Sequence, residues 1–381
     1  MSGDLRIASV EVLILDGGVE YGTVMPDGEV SGPRHTCLVR VTTEEGIVGH
    51  ADVDSNPWVV KAVVEAPSHI PAFSTGLATA VLGQSARDPE ALWERMYQHS
   101  WYLGRRGVAL HAISGIDIAV WDILGRAEGR PVCELLGGAR RDRVPAYAST
   151  LFRETPDAMR RAAATYLERG FGAIKFGWAS WGDDLAHDRA LLAAARGEVG
   201  PNVPLMVDGY IGGDLDAVIA HVRAIEDLSP RWVEEPLPAD RPRDLAALGR
   251  ATSLPIATGE QLGGVGEFTE LLAEDGVSVV QPDVSRCGGF TAVRRIAELA
   301  AARGLRVIPH AWTSPLLTAA SLHVNAWLEE ATFIETNVST APVLDALAPE
   351  RPRLVDGYLE VPSGPGLGID VDPAAIDRFR I

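Results

Sequence analysis

The chain has 381 residues, 46% of them apolar, enough to bury more than one core, and it sets 34 basic against 52 acidic side chains for a formal net charge of −18, which repels nucleic acid and anionic membranes. Its three scattered cysteines, Cys37, Cys133 and Cys287, form neither a disulfide framework nor a zinc spacing and suit a reducing cytoplasm. The N-terminal residues lack the order of a signal peptide, and no run approaches the roughly 20 apolar residues of a membrane helix, so a cytoplasmic protein is expected.

In chain order, residues 1–130 read as an α+β capping unit. Alternating runs at 7–15 and 37–42 predict strands, the second followed by the turn Glu45-Gly46, and 89–99 and 108–125 predict helices. Between the two strands lies a glycine-rich stretch, 17–32, with Tyr21, Met25 and Pro26, too long for a hairpin turn. Such a stretch is either a lid over a site or disordered.

From 131 to 355 the sequence keeps one rhythm, a short β-branched run followed by an Ala/Leu/Arg-rich helical stretch. The candidate strands are 144–150, 173–178, 205–210, 232–236, 255–260, 277–283, 306–310 and 332–337. Helical signals lie between them, such as the opening Thr155-Pro156-Asp157 closed by Gly170. Eight strands joined by right-handed crossovers predict a parallel (β/α) barrel of the TIM type, which leaves no exposed edge. An open doubly wound sheet would call for a glycine-rich phosphate turn, and neither GxGxxG nor a P-loop is present. The tail, 356–381, carries turn residues at 364–370 and is expected to pack back on the first unit.

In such a barrel the C-terminal strand ends share one face. Three consecutive ends read VDGY, VEEP and ATGE, placing Asp208, Glu234 and Glu260 on one rim at intervals of 26 residues. Singly, such acids more often cap a helix or pair with arginine. Three in register instead predict a cation site, and oxygen-only donors suit Mg²⁺. Alternation lets only one of Glu234 and Glu235 face the ion, leaving the other for a neighbouring cation or an outer position. The next ends, QPDVSRCGG and VIPHAW, bring Asp283 and His310 side by side, where a carboxylate on one imidazole nitrogen makes the other a general base. His221 and His323 fall in helical stretches and read as structural or solvent-facing. Strand AIKFGW turns Lys175 and Gly177 to one face, and an inward Lys175 can neutralise a carboxylate. Strand FIETN offers Glu335 as an acid or hydrogen-bonding group.

These residues resemble the mandelate racemase/muconate lactonizing enzyme branch of the enolase superfamily. The likeness spans nearly the whole chain, through WDILGRAEGRPVCELLGG, LMVDGY, WVEEP, TGE, QPDVSRCGG and IPHAW. The resemblance implies a modified barrel under a capping domain, Asp208, Glu234 and Glu260 as Mg²⁺ ligands, and Asp283–His310 as the dyad. It further implies Lys175 as the partner of a substrate carboxylate and Glu335 as a rim acid. Racemases of this branch carry a second lysine where this chain has Gly177, so inversion of a stereocentre is disfavoured. Tyr210 stands where many relatives have asparagine, and the combination looks more like acid-sugar dehydratases of the rhamnonate type.

The expected reaction is therefore removal by His310 of the proton α to a carboxylate, followed by loss of the β-hydroxyl to give a 2-keto-3-deoxy acid. The expected partners are a small-molecule carboxylate and further copies of the chain, since relatives commonly assemble. Tyr210, Tyr21, His35 and Trp58 are candidates for substrate contact. The rival readings are a cycloisomerase or epimerase using the same first step, and a metal-binding barrel without turnover.

Overall fold

A computed structural model of the chain describes residues 3–18, 23–24, 30–31, 34–71 and 74–381. The N-terminal unit contains β1 (Ile7–Asp16), a short antiparallel ribbon of β2 (Thr23–Val24) and β3 (Val30–Ser31), then β4 (His35–Thr43) and β5 (Val48–Asp52). Strands β1, β4 and β5 form an antiparallel sheet in that order, with Val12 opposite Val39 and Leu38 opposite Asp52. The helices α1 (Pro57–Glu65), α2 (Leu77–Val81), α3 (Pro89–His99) and α4 (Val108–Glu128) cover it. Helix α4 rides directly on the sheet because glycines remove the obstructing side chains. A Cβ on Gly49 would lie 2.0 Å from the Ala119 carbonyl, and one on Gly115 would lie 2.6 Å from the methyls of Val39 and Val53.

One sequence expectation needs correction here. Helix α4, with 21 residues and a mean hydropathy of 1.5 over its apolar window, is long and apolar enough to cross a membrane. Its apolar composition reflects burial, since 89% of that window lies inside, between the sheet and the barrel helix that follows the sixth barrel strand.

Helix α5 (Val132–Leu136) leads into an alternation of β6 (Arg143–Leu151), α6 (Pro156–Glu168), β7 (Ala173–Gly177), α7 (Leu185–Val199), β8 (Leu205–Asp208), α8 (Leu215–Arg223), β9 (Val233–Glu234) and α9 (Pro242–Ala251). It continues through β10 (Ile256–Thr258), α10 (Gly264–Leu272), β11 (Val279–Val280), α11 (Gly289–Ala301), β12 (Arg306–Val307), α12 (Pro315–Trp327) and β13 (Ile334–Asn337). Side-chain caps start several of these helices, Thr155, Asp184, Asp214 and Ser314 each accepting from backbone N–H groups of the first turn. Parallel ladders run from β6 in sequence to β12, and β13 returns to pair with β6.

The barrel does not close wholly by backbone. Among the described residues no ladder joins β12 to β13, and side chains span that seam. Ala311 N–H donates to Glu335 Oε2 at 2.8 Å, and Asn337 Nδ2 donates to the carbonyls of Trp312 and Thr313. Pro309 supplies the reason, since it has no N–H to carry a ladder past β12. Beneath the rim, Tyr147, Met206, Trp232, Val279 and Ile308 fill the interior, with the Tyr147 and Trp232 rings edge to face at 5.9 Å.

After α13 (Pro342–Leu347), the hairpin of β14 (Leu354–Val355) and β15 (Tyr358–Glu360) pairs antiparallel with the start of β6, sharing that edge with β13. The chain then runs onto the N-terminal unit: Leu367 N–H donates to Asp122 Oδ1 at 2.9 Å, Arg126 pairs with Asp370 at 2.9 Å, and Ile381 N–H reaches Ile14 O at 3.0 Å. This stretch includes a capped helix, α14 (Pro373–Phe379), which sequence reading missed.

The two units also meet where α11 begins. That helix opens on two glycines with no cap of its own, and Asp117 of α4 supplies one, accepting from Thr291 Oγ1 at 2.6 Å and Thr291 N at 3.1 Å. Burial pushes the Asp117 carboxyl up to about 7, against these hydrogen bonds, which favour its charged form. Replacing Asp117 by Ala is expected to destabilise the protein by about 1–3 kcal/mol, because the buried Thr291 donors lose their acceptor. A thermal midpoint unchanged in Asp117→Ala would rule that cap out.

Candidate active site

Register explains why the acids converge. On adjacent strands Gly177 lies opposite Asp208, and Asp208 opposite Glu234, so two carboxylates end neighbouring strands at one level. Glu260 follows β10 by two residues, and Glu335 on β13 lies opposite Tyr147 of β6. Asp283 and His310 lie beyond the short strands β11 and β12, joined by an isolated parallel bridge. One oxygen each from Asp208, Glu234 and Glu260 falls within 4.8 Å of the others.

Lys175 is buried at the centre of this rim. Its Nζ lies 2.5 Å from Glu234 Oε1, 2.9 Å from Glu335 Oε1 and 3.1 Å from Asp208 Oδ2. Burial would push the ammonium down, but Asp208, Glu234 and Glu335 outweigh it and hold the pKa well above the usual lysine range. Burial and the neighbouring Glu234 drive the Asp208 carboxyl well up, and Lys175 offsets only part of this. Glu335 goes the other way: burial raises it, yet Lys175, His310 and Ser149 bring it down to about 2. It accepts from Ser149 Oγ at 2.6 Å and from Ala311 N at 2.8 Å, contacts that tie it to the neighbouring strand and loop.

The imidazole of His310 has Nδ1 at 2.6 Å from Asp283 Oδ2, while Nε2 lies 3.2 Å from Glu260 Oε2. Burial works to lower its pKa, but Glu260, Glu335 and Asp283 lift it to about 10. A cation on the three acids would draw the Glu260 charge away from the ring and return it toward the free base. Glu235 turns aside through a left-handed backbone, φ +42°, and accepts from Thr258 Oγ1 and the Gln261 amide. It meets hydrogen-bond donors rather than the cation that alternation left open for it, and burial followed by Glu260 and Glu234 pushes it up to about 8.

These groups border a cavity of about 360 Å³ lined by Asp208, Glu260, His310 and Glu335. The same cavity takes Asp54, Arg286, Trp178 and Trp312, which sequence reading did not single out. Arg286 had a signal, three residues after Asp283 within QPDVSRCGG, whereas Asp54 had none. Of the candidates for substrate contact, Tyr210 is 43% exposed and does not line the cavity. His35 and Trp58 pack edge to face at 4.7 Å on the N-terminal unit, and His35 borders a separate small cavity beside Asp52 and Thr313. Tyr21, with most of the stretch read as a lid, lies outside the described residues. His323 is buried and structural, Nε2 bonding the Leu367 carbonyl at 3.1 Å, and His221 is buried 3.2 Å from Asp188, so neither faces solvent.

The donor set fits a hard divalent ion. All three donors are carboxylates, and the buried Asp208 Oδ1 has no hydrogen-bond partner among the described residues. Gly177, where the second lysine of racemases would stand, lies against this set: a Cβ there would come within 3.0 Å of Asp208 Oδ2.

Comparison with known proteins bears on the fold and the family. Residues 24–137 match the mandelate racemase/muconate lactonizing enzyme N-terminal domain family, and residues 158–375 the enolase C-terminal domain-like family. The D-galactarolactone cycloisomerase of Agrobacterium fabrum is 31% identical over 360 residues, covering 91% of this chain and 92% of that protein. The D-galactonate dehydratase of Ralstonia nicotianae is 32% identical over 365 residues, with 91% and 92% covered. The crystal structure of the 3,6-anhydro-D-galactonate cycloisomerase from Zobellia galactanivorans superposes with a TM-score of 0.87 at 29% identity, covering 99% of each chain.

Because a cation binds only when the three acids are brought together, Mg²⁺ is expected to raise the thermal midpoint. At a hundredfold excess over Kd the gain corresponds to about 2.7 kcal/mol. Asp208→Asn should lose most of it, and a midpoint indifferent to Mg²⁺ in the unsubstituted protein would refute the cation site.

Proposed function

As the chain belongs to the mandelate racemase/muconate lactonizing enzyme branch of the enolase superfamily, we propose that it is a Mg²⁺-dependent dehydratase of an acid sugar. It would remove the proton α to the carboxylate and expel the β-hydroxyl, releasing a 2-keto-3-deoxy acid. The observation that carries this reading is the His310 imidazole at the cavity, gripped at Nδ1 by Asp283 at 2.6 Å and with Nε2 turned toward the acid set, 3.2 Å from Glu260 Oε2.

Asp208, Glu234 and Glu260 would hold Mg²⁺, a Lewis acid that draws off the negative charge developing on the substrate carboxylate. Asp283 keeps the proton of the neutral ring on Nδ1, leaving the Nε2 lone pair to accept the α-proton. The same Nε2–H can then return its proton to the departing hydroxyl, so that water leaves. A positioned base contributes about 10²- to 10⁴-fold, or roughly 3–5 kcal/mol of barrier. Most of the acceleration therefore falls to electrostatics, to which the fixed ammonium of Lys175 adds. Gly177 leaves one face of the site without a second base, which favours elimination over inversion. The three cysteines are free and buried, in keeping with a reducing cytoplasm, and assembly into a homo-oligomer belongs to the same proposal.

A cycloisomerase is the second reading, supported by the relatives of that name from Agrobacterium fabrum and Zobellia galactanivorans. It would share the proton abstraction and differ in the leaving group, a ring oxygen in place of a hydroxyl. Incubating the Mg²⁺-loaded protein with a library of acid sugars and their lactones in ²H₂O separates the two by which compounds yield a 2-keto acid. His310→Asn is expected to lower kcat by at least about 10²-fold with Mg²⁺ affinity unchanged. Turnover that survives this substitution would remove the imidazole from the chemistry.

A further inference from the structure

Asp54 reaches the barrel rim from the N-terminal unit, two residues past β5, and there meets Arg286. Arg286 Nη2 donates to Asp54 Oδ2 at 2.6 Å and Nε to the Asp54 carbonyl at 2.9 Å, while Nη1 is directed at the Glu260 carbonyl and Oε1 at 3.3 and 3.4 Å. The pair is held from below as well: Asp54 N–H donates to Ser285 Oγ at 3.0 Å, and that hydroxyl donates to Asp283 Oδ1 at 2.7 Å. With side chains only 14% and 19% exposed, water does little to loosen it.

Arg286 and His310 are the only lining side chains among the described residues able to carry positive charge. Lys175 does not line the cavity and already faces three carboxylates. Residues 19–33 contain Glu20, Asp27 and Glu29 but no lysine, arginine or histidine. Six carboxylates surround the site: Asp54, Asp208, Glu234, Glu260, Asp283 and Glu335. Set against Lys175, Arg286 and one dication, they leave two negative charges in excess when His310 is the free base. The substrate's reacting carboxylate has the dication to bind. A second carboxylate on the same molecule would enter beside Asp54 with the Arg286 guanidinium already taken. A terminal hydroxyl suits that place, since an ionised Asp54 can only accept hydrogen bonds and a hydroxyl can donate one.

We propose that Asp54, by occupying Arg286 at the cavity wall, restricts the site to polyhydroxy acids with a single ionised carboxylate, an aldonate or a lactone monoacid, and excludes the matching diacids. The proposal rests on the acid-sugar reading above and names the charge class within it.

The test is calorimetric titration of Mg²⁺-loaded full-length protein carrying His310→Asn, which leaves the acids unreacted. D-gluconate is compared with D-glucarate and D-galactonate with D-galactarate, pairs that differ only in a terminal CH₂OH or COO⁻. In at least one pair the monoacid is expected to bind at least tenfold more tightly, and adding Asp54→Asn, which frees the guanidinium, is expected to shrink that preference at least tenfold. Diacids that bind as tightly as their monoacids, an Asp54→Asn change that shifts both alike, or failure of every acid to bind would each overturn the proposal. A monoacid preference in binding, combined with no turnover by the unsubstituted protein, would refute the dehydratase reading and leave the charge rule standing.

Discussion

A single buried ammonium at the mouth of the barrel, shared among three carboxylates, sets the terms for everything around it. Lys175 touches Asp208, Glu234 and Glu335, groups from three other strands that would repel one another without it. Deleting one partner of such a buried cluster strands the others and typically costs about 3–5 kcal/mol. The chain has only two lysines, Lys61 and Lys175, among its 34 basic residues, so the choice of lysine here is notable. A compact ammonium can meet three acceptors converging from different strands, whereas a planar guanidinium presents its donors in a fixed fork. Even so, Lys175 leaves the cluster short of positive charge. Asp208 and Glu234 stay pushed upward, and His310 is lifted by the adjoining Glu260 and Glu335 against the burial that would lower it. That deficit is the physical case for a dication.

The N-terminal unit is part of the site rather than a cover placed over it. Asp54 clamps Arg286, Asp52 accepts from Thr313 in the loop after His310, and Ser114 and Asp117 hold the start of α11. These contacts fall on the two loops that carry the dyad, those beyond β11 and β12. Both strands are only two residues long, too short to fix the loops through ladder bonds alone. The N-terminal unit supplies the missing constraint, and Glu335 does the same at the open seam, where Pro309 stops the ladder and Ala311 N–H needs an acceptor.

Much of this was legible in the residues in order. Strand and helix alternation, the carboxylates at the ends of three successive strands and the Asp283–His310 pairing follow from patterns local to each element. Alternation fixes side-chain direction, and parallel topology fixes which ends meet. The resemblance through QPDVSRCGG and IPHAW drew on the same local segments. The strand limits were read too generously: 277–283 is ladder-bonded only at Val279–Val280, because pairing depends on a neighbour's N–H groups as much as on the strand's own apolar pattern.

What the sequence alone determined, then, was the barrel and which acids and imidazole stand on its rim, since strand period and strand ends are properties of short segments. Only the tertiary structure decided which charges are neutralised by which. Asp54 and Arg286 are separated by 232 residues, and Lys175 and Glu234 by 59, so no spacing could announce either contact. The roles of Asp54, Asp117 and Glu335 come from burial beside particular partners, a condition that arises only when distant segments pack and exclude water.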